Sequence, residues 1–503
     1  MKQLLDSVAL LLSDTYKQCH PRMYPKDIEL DGEIASTTRL VSYWVPRRSM
    51  LQKHNKMVFW GLTAFLKTYL VDYFNDYFFS LSREEIINEY CDIMDIQIGK
   101  GNYDEVNILQ LHKLGYLPIE IAALPEGTKV PMAVPCIEIT NTHPDFAWVA
   151  QWIECILQVE LWKPCVHATI GSLYRELADK YYDLTVDDMI PEMACADFGM
   201  RGMSCMEEAV RCSAAWMLSF NKTSTIPAIK YIDKYYNANC KENGLGKGAV
   251  SVEHSVVGAW YAIYGEERSL IKKLLEQDYP DTSFSYVADT YDYKYVVSEV
   301  LPSLKDEILA HNGKLLIRPD SGDMVEIAIW TIEELAKHFG YTVNSKGYKV
   351  LNSKIGIIYG DGCSLKNVEK VWEAYEKMGY AANNIFFGVG AFCFTGIFED
   401  DKFYAATRDT FGIAMKATYG EIGDRKVFIY KDPKTDTSKL KKSHKGCCIV
   451  KRDENGELYC EDEHEYLDVI HDKDNLLRVV FSDGVIYNEE DYMTIRERLH
   501  AEV

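Results

Sequence analysis

The 503-residue sequence has no C-x-x-C pair among its 14 cysteines, no internal repeat, no low-complexity tract and no long apolar run. Scattered cysteines argue against a zinc site or a disulfide framework, so no protein metal site is expected and a reducing, cytoplasmic setting fits best. Cys447 and Cys448 are adjacent and do not easily bridge to each other. The apolar run from Val8 to Leu12 is too short to span a membrane and lacks a cleavage-site pattern, so neither an anchor nor a leader is expected. Positive charge is also scarce. With 55 Lys and Arg against 76 Asp and Glu, the net charge is −21. A nucleic-acid partner, which needs a basic surface to displace counterions, is therefore not expected. An anionic ligand could bind only in a local basic pocket set against the overall field, which makes each sequestered Arg and Lys informative.

What is present is organised. The chain is too long for one ordinary core, so two or more lobes are expected. Over the first 180 or so residues, extended segments such as 36–45 and 117–122 alternate with helical ones such as 59–78 and 146–161. Residues 237–247, rich in Gly, Asn and Lys, predict a surface loop. From about residue 280 the pattern turns regular, with strands at 283–288, 314–317, 354–359 and 384–387 separated by helices. After the helix at 297–309, a second carries Val325, Ile329, Ile332 and Ala336 on one stripe, with Gly340 as its C-cap. A third starts at Ser364, carries Val368, Val371, Tyr375 and Met378, and stops at Gly379. The β-α-β-α-β order implies parallel strands with right-handed crossovers. An α/β barrel with a second lobe built mainly from the N-terminal part is favoured, and an open doubly wound sheet is the alternative.

Five constellations could carry chemistry. Arg318-Pro319-Asp320-Ser321-Gly322 ends one strand, where a guanidinium can pair with phosphate and a carboxylate can accept from ribose hydroxyls; an exposed turn with an ion pair is the plain alternative. Gly360-Asp361-Gly362 and Gly388-Val389-Gly390 end the next two strands, either as phosphate-cradling backbone or as tight turns. In Val252-Glu253-His254-Ser255, ahead of a helix at 256–264, the histidine is a poised base, nucleophile or phosphate acceptor, or a structural residue. In Ala196-Asp197-Phe198-Gly199-Met200-Arg201-Gly202, Phe198 could stack on a flat ring and Arg201 hold an anion or a carbonyl oxygen; a core Phe at a turn is the alternative. Lys431-Asp432-Pro433 with the basic run from Lys439 to Lys445 could bind phosphate or form a solvated loop.

Taken in order and together with Asp14-Thr15-Tyr16-Lys17, Tyr24-Pro25, Leu117-Pro118-Ile119-Glu120-Ile121 and Leu477-Arg478-Val479-Val480-Phe481, these motifs resemble the nicotinamide phosphoribosyltransferase family over nearly the whole chain. The resemblance implies a type II phosphoribosyltransferase fold, an irregular α/β barrel with a second mixed α+β lobe. Its boundaries would be an N-terminal lobe at 1–180, the barrel at 181–430, and a segment at 431–503 packing back on the N-terminal lobe. It implies transfer of a phosphoribosyl group from phosphoribosyl pyrophosphate (PRPP) to nicotinamide in NAD salvage, by a homodimer with active sites at the subunit interface.

The resemblance also implies residue roles. Phe198 and Tyr16, from opposite subunits, would sandwich the pyridine ring, with Asp14 nearby and Arg201 on the carboxamide. Arg318 and Asp320 would bind the phosphoribosyl group, with Asp361 near them and Ser285 also contacting substrate. Gly360, Gly390, Arg408 and Lys431 would surround the phosphates. His254 would be phosphorylated by ATP, with Glu253 and Asp289 orienting it and Asp320 counted with them in catalysis. Mg²⁺ would bind through PRPP and water rather than a protein cage. The sequence departs from the family at Ser224, where the base pocket usually has an Asp. A Ser gives up the discrimination between an amide and a carboxylate, so nicotinate is the alternative base, and a catalytically silent binding protein retaining the fold is a further alternative. Ala391 and Phe392 replace glycines, and the stretch 394–406 is longer than the family pattern before Arg408.

Overall fold

Seven strands run parallel in one sheet, in the order Val250–Ser251, Phe284–Val287, Leu315–Arg318, Ile355–Tyr359, Ile385–Gly390, Cys195–Phe198 and Lys222–Thr223. They belong to a computed structural model that describes residues 7–188, 190–399, 402–435 and 442–501. The chain divides into two compact units. One comprises Met1–Val166, Tyr235–Asn237 and Thr407–Val503, the other His167–Lys234 and Ala238–Ala406. The sequence reading sets its boundaries at 180 and 430; the contact division falls earlier, at 166 and 406.

The parallel sheet lies in the second unit. Its strands Leu315–Arg318 and Ile355–Tyr359 are apolar and buried nearly throughout, as strands covered on both faces must be. The strand at one end of the order, Lys222–Thr223, also meets Lys247, which stands just before the strand at the other end. Lys222 and Lys247 form a parallel bridge, with Thr223 N donating to Lys247 O at 3.2 Å and Lys247 N to Asn221 O at 2.9 Å. The sheet thereby curls into an irregular α/β barrel instead of an open doubly wound sheet. Helix Met324–Phe339 starts where Asp323 accepts from the amides of Val325 and Glu326, and helix Leu365–Lys377 where Ser364 accepts from Asn367 N.

Several local readings change. The buried stripe of Met324–Phe339 runs through Ala328, Thr331, Ile332, Leu335, Ala336 and Phe339, while Val325 and Ile329 are only half-buried. Gly388-Val389-Gly390 is not a turn: the strand continues to Gly390, paired with Cys195–Phe198. Residues 237–247 are not a plain surface loop. They contain the short helix Cys240–Asn243, and Ala238, Cys240 and Leu245 are buried. The long stretch before Arg408 contains two antiparallel strands, Gly396–Glu399 and Lys402–Ala405.

The first unit is built on an antiparallel sheet ordered Arg425–Phe428, Ala414–Ile422, Thr37–Val45, Ile137–Asn141, Ile119–Ala123, Arg478–Ser482 and Val485–Ile486. Tyr236 belongs here because its ring stacks on Trp60 at 5.1 Å and its hydroxyl donates to Glu126, which also accepts from the amides of Gly61 and Thr63. Among the described residues, no helix is long and apolar enough to cross a membrane.

Buried polar groups of this sheet include a tyrosine–carboxyl pair. The Tyr43 hydroxyl donates to the Glu138 carboxyl, and both residues are buried. Burial pushes Glu138 up to about 7, against the opposing pull of the Tyr43 bond. A raised carboxyl favours the fold in its protonated form, so its contribution is complete at low pH and is lost as pH rises toward 7, by about 3 kcal/mol in all. Glu138→Gln should therefore show a smaller fall in Tm between about pH 5 and about pH 8 than the parent. Equal pH dependence in the two proteins would mean that Glu138 is ionised in the fold.

Candidate active site

Because all seven barrel strands run the same way, their C-terminal residues collect on one rim: Phe198, Thr223, Ser251, Val287, Arg318, Tyr359 and Gly390. A cavity of about 370 Å³ there is lined by Phe198, Arg201, Lys222, Ser224, Lys247 and Arg318, among others.

The wholly buried Asp197 organises one side of it. Its carboxylate accepts from Gly199 N at 2.7 Å, Thr223 Oγ1 at 2.6 Å and Thr225 Oγ1 at 3.1 Å, and its carbonyl accepts from Ser224 N at 2.9 Å. This ties the end of one strand to the next and fixes Phe198 and Ser224 together. Phe198 lies across two glycines. A Cβ on Gly388 would stand 2.0 Å from Phe198 Cε2, and one on Gly360 3.7 Å from it. Gly388 thus makes room for the ring rather than a phosphate turn. Gly202 is likewise required, since a Cβ there would meet Ala391 Cβ at 1.9 Å.

The opposite side carries charge. Arg318 donates from Nη2 to Val252 O at 2.8 Å, while its buried Nε has no partner among the described residues. Burial lowers its pKa, Asp320 and Asp289 oppose that, and Arg201 adds to it. Asp289 accepts through Oδ2 from Asp320 N at 3.1 Å and Ser321 Oγ at 2.6 Å, whereas its buried Oδ1 has no hydrogen-bond partner among the described residues. His254 is the first residue of helix His254–Tyr264. Its Nδ1 is 3.0 Å from Thr290 Oγ1, and its Nε2 is 3.6 Å from Asp320 Oδ2 and 3.9 Å from Asp289 Oδ1. Glu253, expected to orient it, accepts from the Ser255 hydroxyl. Ser285 Oγ is buried without a partner among the described residues, Asp361 is exposed beyond Gly360, and a Cβ on Gly390 would meet nothing within 4 Å.

The rim thus brings together Phe198, Arg201, Ser224, Arg318, Asp320, Asp289, His254, Gly360 and Gly390. Asp14, Tyr16, Arg408 and Lys431 belong to the other unit. There, Tyr16 is half-exposed on helix Thr15–Arg22, and partial burial, with Glu154, Cys155 and Asp14 nearby, pushes its hydroxyl up to about 12. Asp14 accepts from Cys155 Sγ at 3.4 Å. Arg408, 3.9 Å from Asp409, is close enough to Arg47 to help lower the Arg47 pKa, whose main cause is burial. Lys431 is joined to Ser443 through backbone and hydroxyl bonds. Of the basic run, Lys439 and Lys441 lie outside the described residues. Lys442 is described and lines a second cavity, of about 260 Å³, with Arg47, Lys416, Ser443 and His444.

Sequence reasoning missed Asp197 as an organiser, although it stands directly before Phe198 in a motif singled out for its ring. It missed Lys222 and Lys247, and it missed Arg47 and Lys416. Nothing in their spacing announces them: Lys222 and Lys247 meet through a strand bridge, and Arg47 and Lys416 share a cavity lining although they are far apart in sequence.

The ring platform is testable. Phe198→Ala should weaken binding of a pyridine ligand by about 1–3 kcal/mol, the scale of base–aromatic stacking. Gly388→Ala should produce a loss of the same order with Phe198 still present, because its methyl takes the ring's place. Calorimetric titration showing parent-like affinity in both variants would remove Phe198 from the binding surface.

The comparisons agree with this geometry. Residues 193–468 match the Nicotinate phosphoribosyltransferase (NAPRTase) family. The chain is 32% identical to the nicotinamide phosphoribosyltransferase of Acinetobacter baylyi, over 97% of this chain and 96% of that one. It is 29% identical to the nicotinamide phosphoribosyltransferase of Mycoplasma pneumoniae, over 86% and 93% respectively. Among solved structures, the nicotinate-nucleotide pyrophosphorylase of Pyrococcus furiosus aligns with a TM-score of 0.59 at 15% identity, covering 99% of this chain and 98% of that one. Human nicotinic acid phosphoribosyltransferase aligns with a TM-score of 0.54 at 14% identity, covering 97% and 92%. These two likenesses are of fold. The family match and the full-length relative together show that this chain belongs to the nicotinate phosphoribosyltransferase family.

Proposed function

We propose that the protein transfers the phosphoribosyl group of PRPP to nicotinamide, releasing pyrophosphate and forming nicotinamide mononucleotide in NAD salvage. The observation that carries this reading is the single rim on which an aromatic platform, Phe198, stands beside Arg201, Arg318 and the carboxylates of Asp289 and Asp320. The names of the full-length relatives support it.

In the reaction, the bond from ribose C1 to the pyrophosphate oxygen breaks, leaving an oxocarbenium-like sugar, and the pyridine nitrogen forms the new bond to C1. Phe198 orients the ring and Arg201 holds its carbonyl oxygen, so the nitrogen is delivered in line. Arg318 and Asp320 hold the phosphoribosyl group, with Ser285 and Asp361 beside them. The amides around Gly360 and Gly390 face the phosphates. Oxygen donors suit Mg²⁺, and the unpartnered Asp289 Oδ1 and the Asp320 carboxylate are the groups that would hold it, together with the pyrophosphate. When bound, Mg²⁺ neutralises charge on the departing pyrophosphate.

His254 is the proposed phosphoryl acceptor from ATP. Thr290 occupies Nδ1, which leaves the half-exposed Nε2, facing Asp320, to attack the γ-phosphorus while ADP departs. In a homodimer, the exposed Tyr16 with Asp14, and the cations Arg408 and Lys431, would complete the site of the opposite subunit. The free thiols suit a reducing cytoplasm.

A second reading, nicotinate as the base, is favoured by one observation. The cavity lining includes Lys222 and Lys247 beside Ser224 and, among the described residues, no carboxylate side chain. Burial pushes Lys222 down to about 8, and its ammonium lies 4.1 Å from the Phe386 ring.

Purified protein given PRPP, Mg²⁺ and ATP should form mononucleotide from nicotinamide in preference to nicotinate. The reverse preference would assign the nicotinate reaction, and product from neither would overturn phosphoribosyl transfer. Lys222 is charged below about pH 8 and neutral above it, so kcat/KM for nicotinate relative to nicotinamide should fall as pH rises past 8. Lys222→Met should flatten that profile. His254→Ala should keep turnover without ATP and lose the gain that ATP gives; stimulation surviving in this variant would remove His254 from the phosphoryl-transfer role.

A further inference from the structure

We propose that His444, Cys448 and Cys460 form a binding site for one divalent, thiolate-seeking cation, Zn²⁺ by its chemistry, with Asp462 beside the histidine. The spacing His444-x₃-Cys448-x₁₁-Cys460-x-Asp462 matches no paired-cysteine pattern, which is why the sequence predicts no metal site. Strand pairing assembles the group. Strands Cys447–Arg452 and Leu458–His464 are antiparallel, with Val450 opposite Cys460 and Cys447 opposite His464. The register shifts between Cys447 and Ile449, so Cys448 faces Asp462 and Glu463, and Glu463 takes a left-handed φ of 66°. Cys460 and Asp462, two residues apart, share a strand face.

The result is compact. The ligand atoms of His444, Cys448 and Cys460 all lie within 4.8 Å of one another. His444 Nδ1 is 3.4 Å from Asp462 Oδ2. The supporting bonds favour a metal ligand. His444 Nε2 is 2.9 Å from the carbonyl oxygen of Ala133, which fixes the hydrogen on Nε2 and leaves the Nδ1 lone pair aimed at the Asp462 carboxylate. Two acceptors at that distance repel unless a cation stands between them, either a proton on Nδ1 or a metal. The two thiols beside them favour the metal. Asp462 Oδ2 also accepts from Lys445 N at 3.2 Å, and Cys448 N donates to the Tyr43 hydroxyl at 2.9 Å.

Two sulfurs and one imidazole nitrogen make three ligands of a tetrahedral Zn²⁺ site, and solvent or the neighbouring Asp462 carboxylate would take the fourth position. Binding converts both thiols to thiolates and releases their two protons to solvent, with no change of oxidation state, so affinity should rise with pH. The adjoining residues give the site a purpose. Lys442 and Ser443, immediately before His444, line the cavity that also holds Arg47 and Lys416. A metal on His444 would pin that segment to the hairpin and hold Lys442 at the cavity wall.

The test uses the full chain, reduced and stripped with a chelator, and then titrated with Co²⁺ as a spectroscopic probe. The proposal expects one Co²⁺ per chain, with thiolate charge-transfer absorption and the intense visible bands of tetrahedral coordination, both abolished by Zn²⁺. Cys460→Ser and His444→Ala should lose these bands, whereas Cys91→Ser should keep them. Zn²⁺ should raise the Tm of the parent and not of Cys460→Ser, which separates lost ligation from lost folding. Absence of tetrahedral bands in the reduced parent, or their survival in both ligand variants, overturns the proposal. A Cys448–Cys460 disulfide in protein that takes up no metal after reduction also overturns it.

Discussion

The buried carboxylate of Asp197 is the interaction on which the candidate site depends. Fully withdrawn from water, it is held by one amide and two hydroxyls, from Gly199, Thr223 and Thr225. Charge-assisted bonds of this kind contribute roughly 1.5–3 kcal/mol each, and a buried carboxylate robbed of them would carry its full desolvation cost. The bonds therefore lock two strand ends together. Phe198, one residue along, has its position set by that lock and by the absence of a side chain at Gly388. The ring platform is a consequence of the backbone beneath it.

Charge is distributed on two scales. The chain carries a net −21, yet Arg201, Arg318, Lys222 and Lys247 line one cavity, and Arg47, Lys416 and Lys442 line another. Burial lowers the pKa of Arg318, Lys222 and Arg47, which means their charge is held at a cost that an anionic ligand would offset. An acidic exterior with cationic cavities favours small anions in recessed sites and disfavours extended polyanions on the surface.

Much of the barrel could be read in the sequence because its signals are local. The caps at Ser364 and Gly340 stand at the expected positions, and strands Leu315–Arg318 and Ile355–Tyr359 fall within a residue of their predicted starts. Motifs at strand ends were legible for the same reason: parallel strands put consecutive ends on one rim. The errors arose where a local signal has two physical meanings. Gly388 reads as a turn residue, but its missing Cβ serves the Phe198 ring. Residues 237–247 read as a polar loop, but Cys240 and Leu245 anchor them in the core. The Lys222–Lys247 seam and the His444–Cys448–Cys460 group were not legible, since strand register rather than spacing brings their members together.

The antiparallel sheet has a kinetic consequence. Its strand Thr37–Val45 pairs along its length with Ala414–Ile422, a stretch synthesised long after it, near the far end of the chain. At about 5–20 residues per second, an emerging chain holds that edge open for tens of seconds. The segments of the barrel unit, by contrast, are nearly contiguous, broken only by Tyr235–Asn237. The barrel can therefore close while the first unit still waits for its C-terminal strands, and the exposed edges of Thr37–Val45 and of Ile119–Ala123, which awaits Arg478–Ser482, leave a nascent chain open to mispairing.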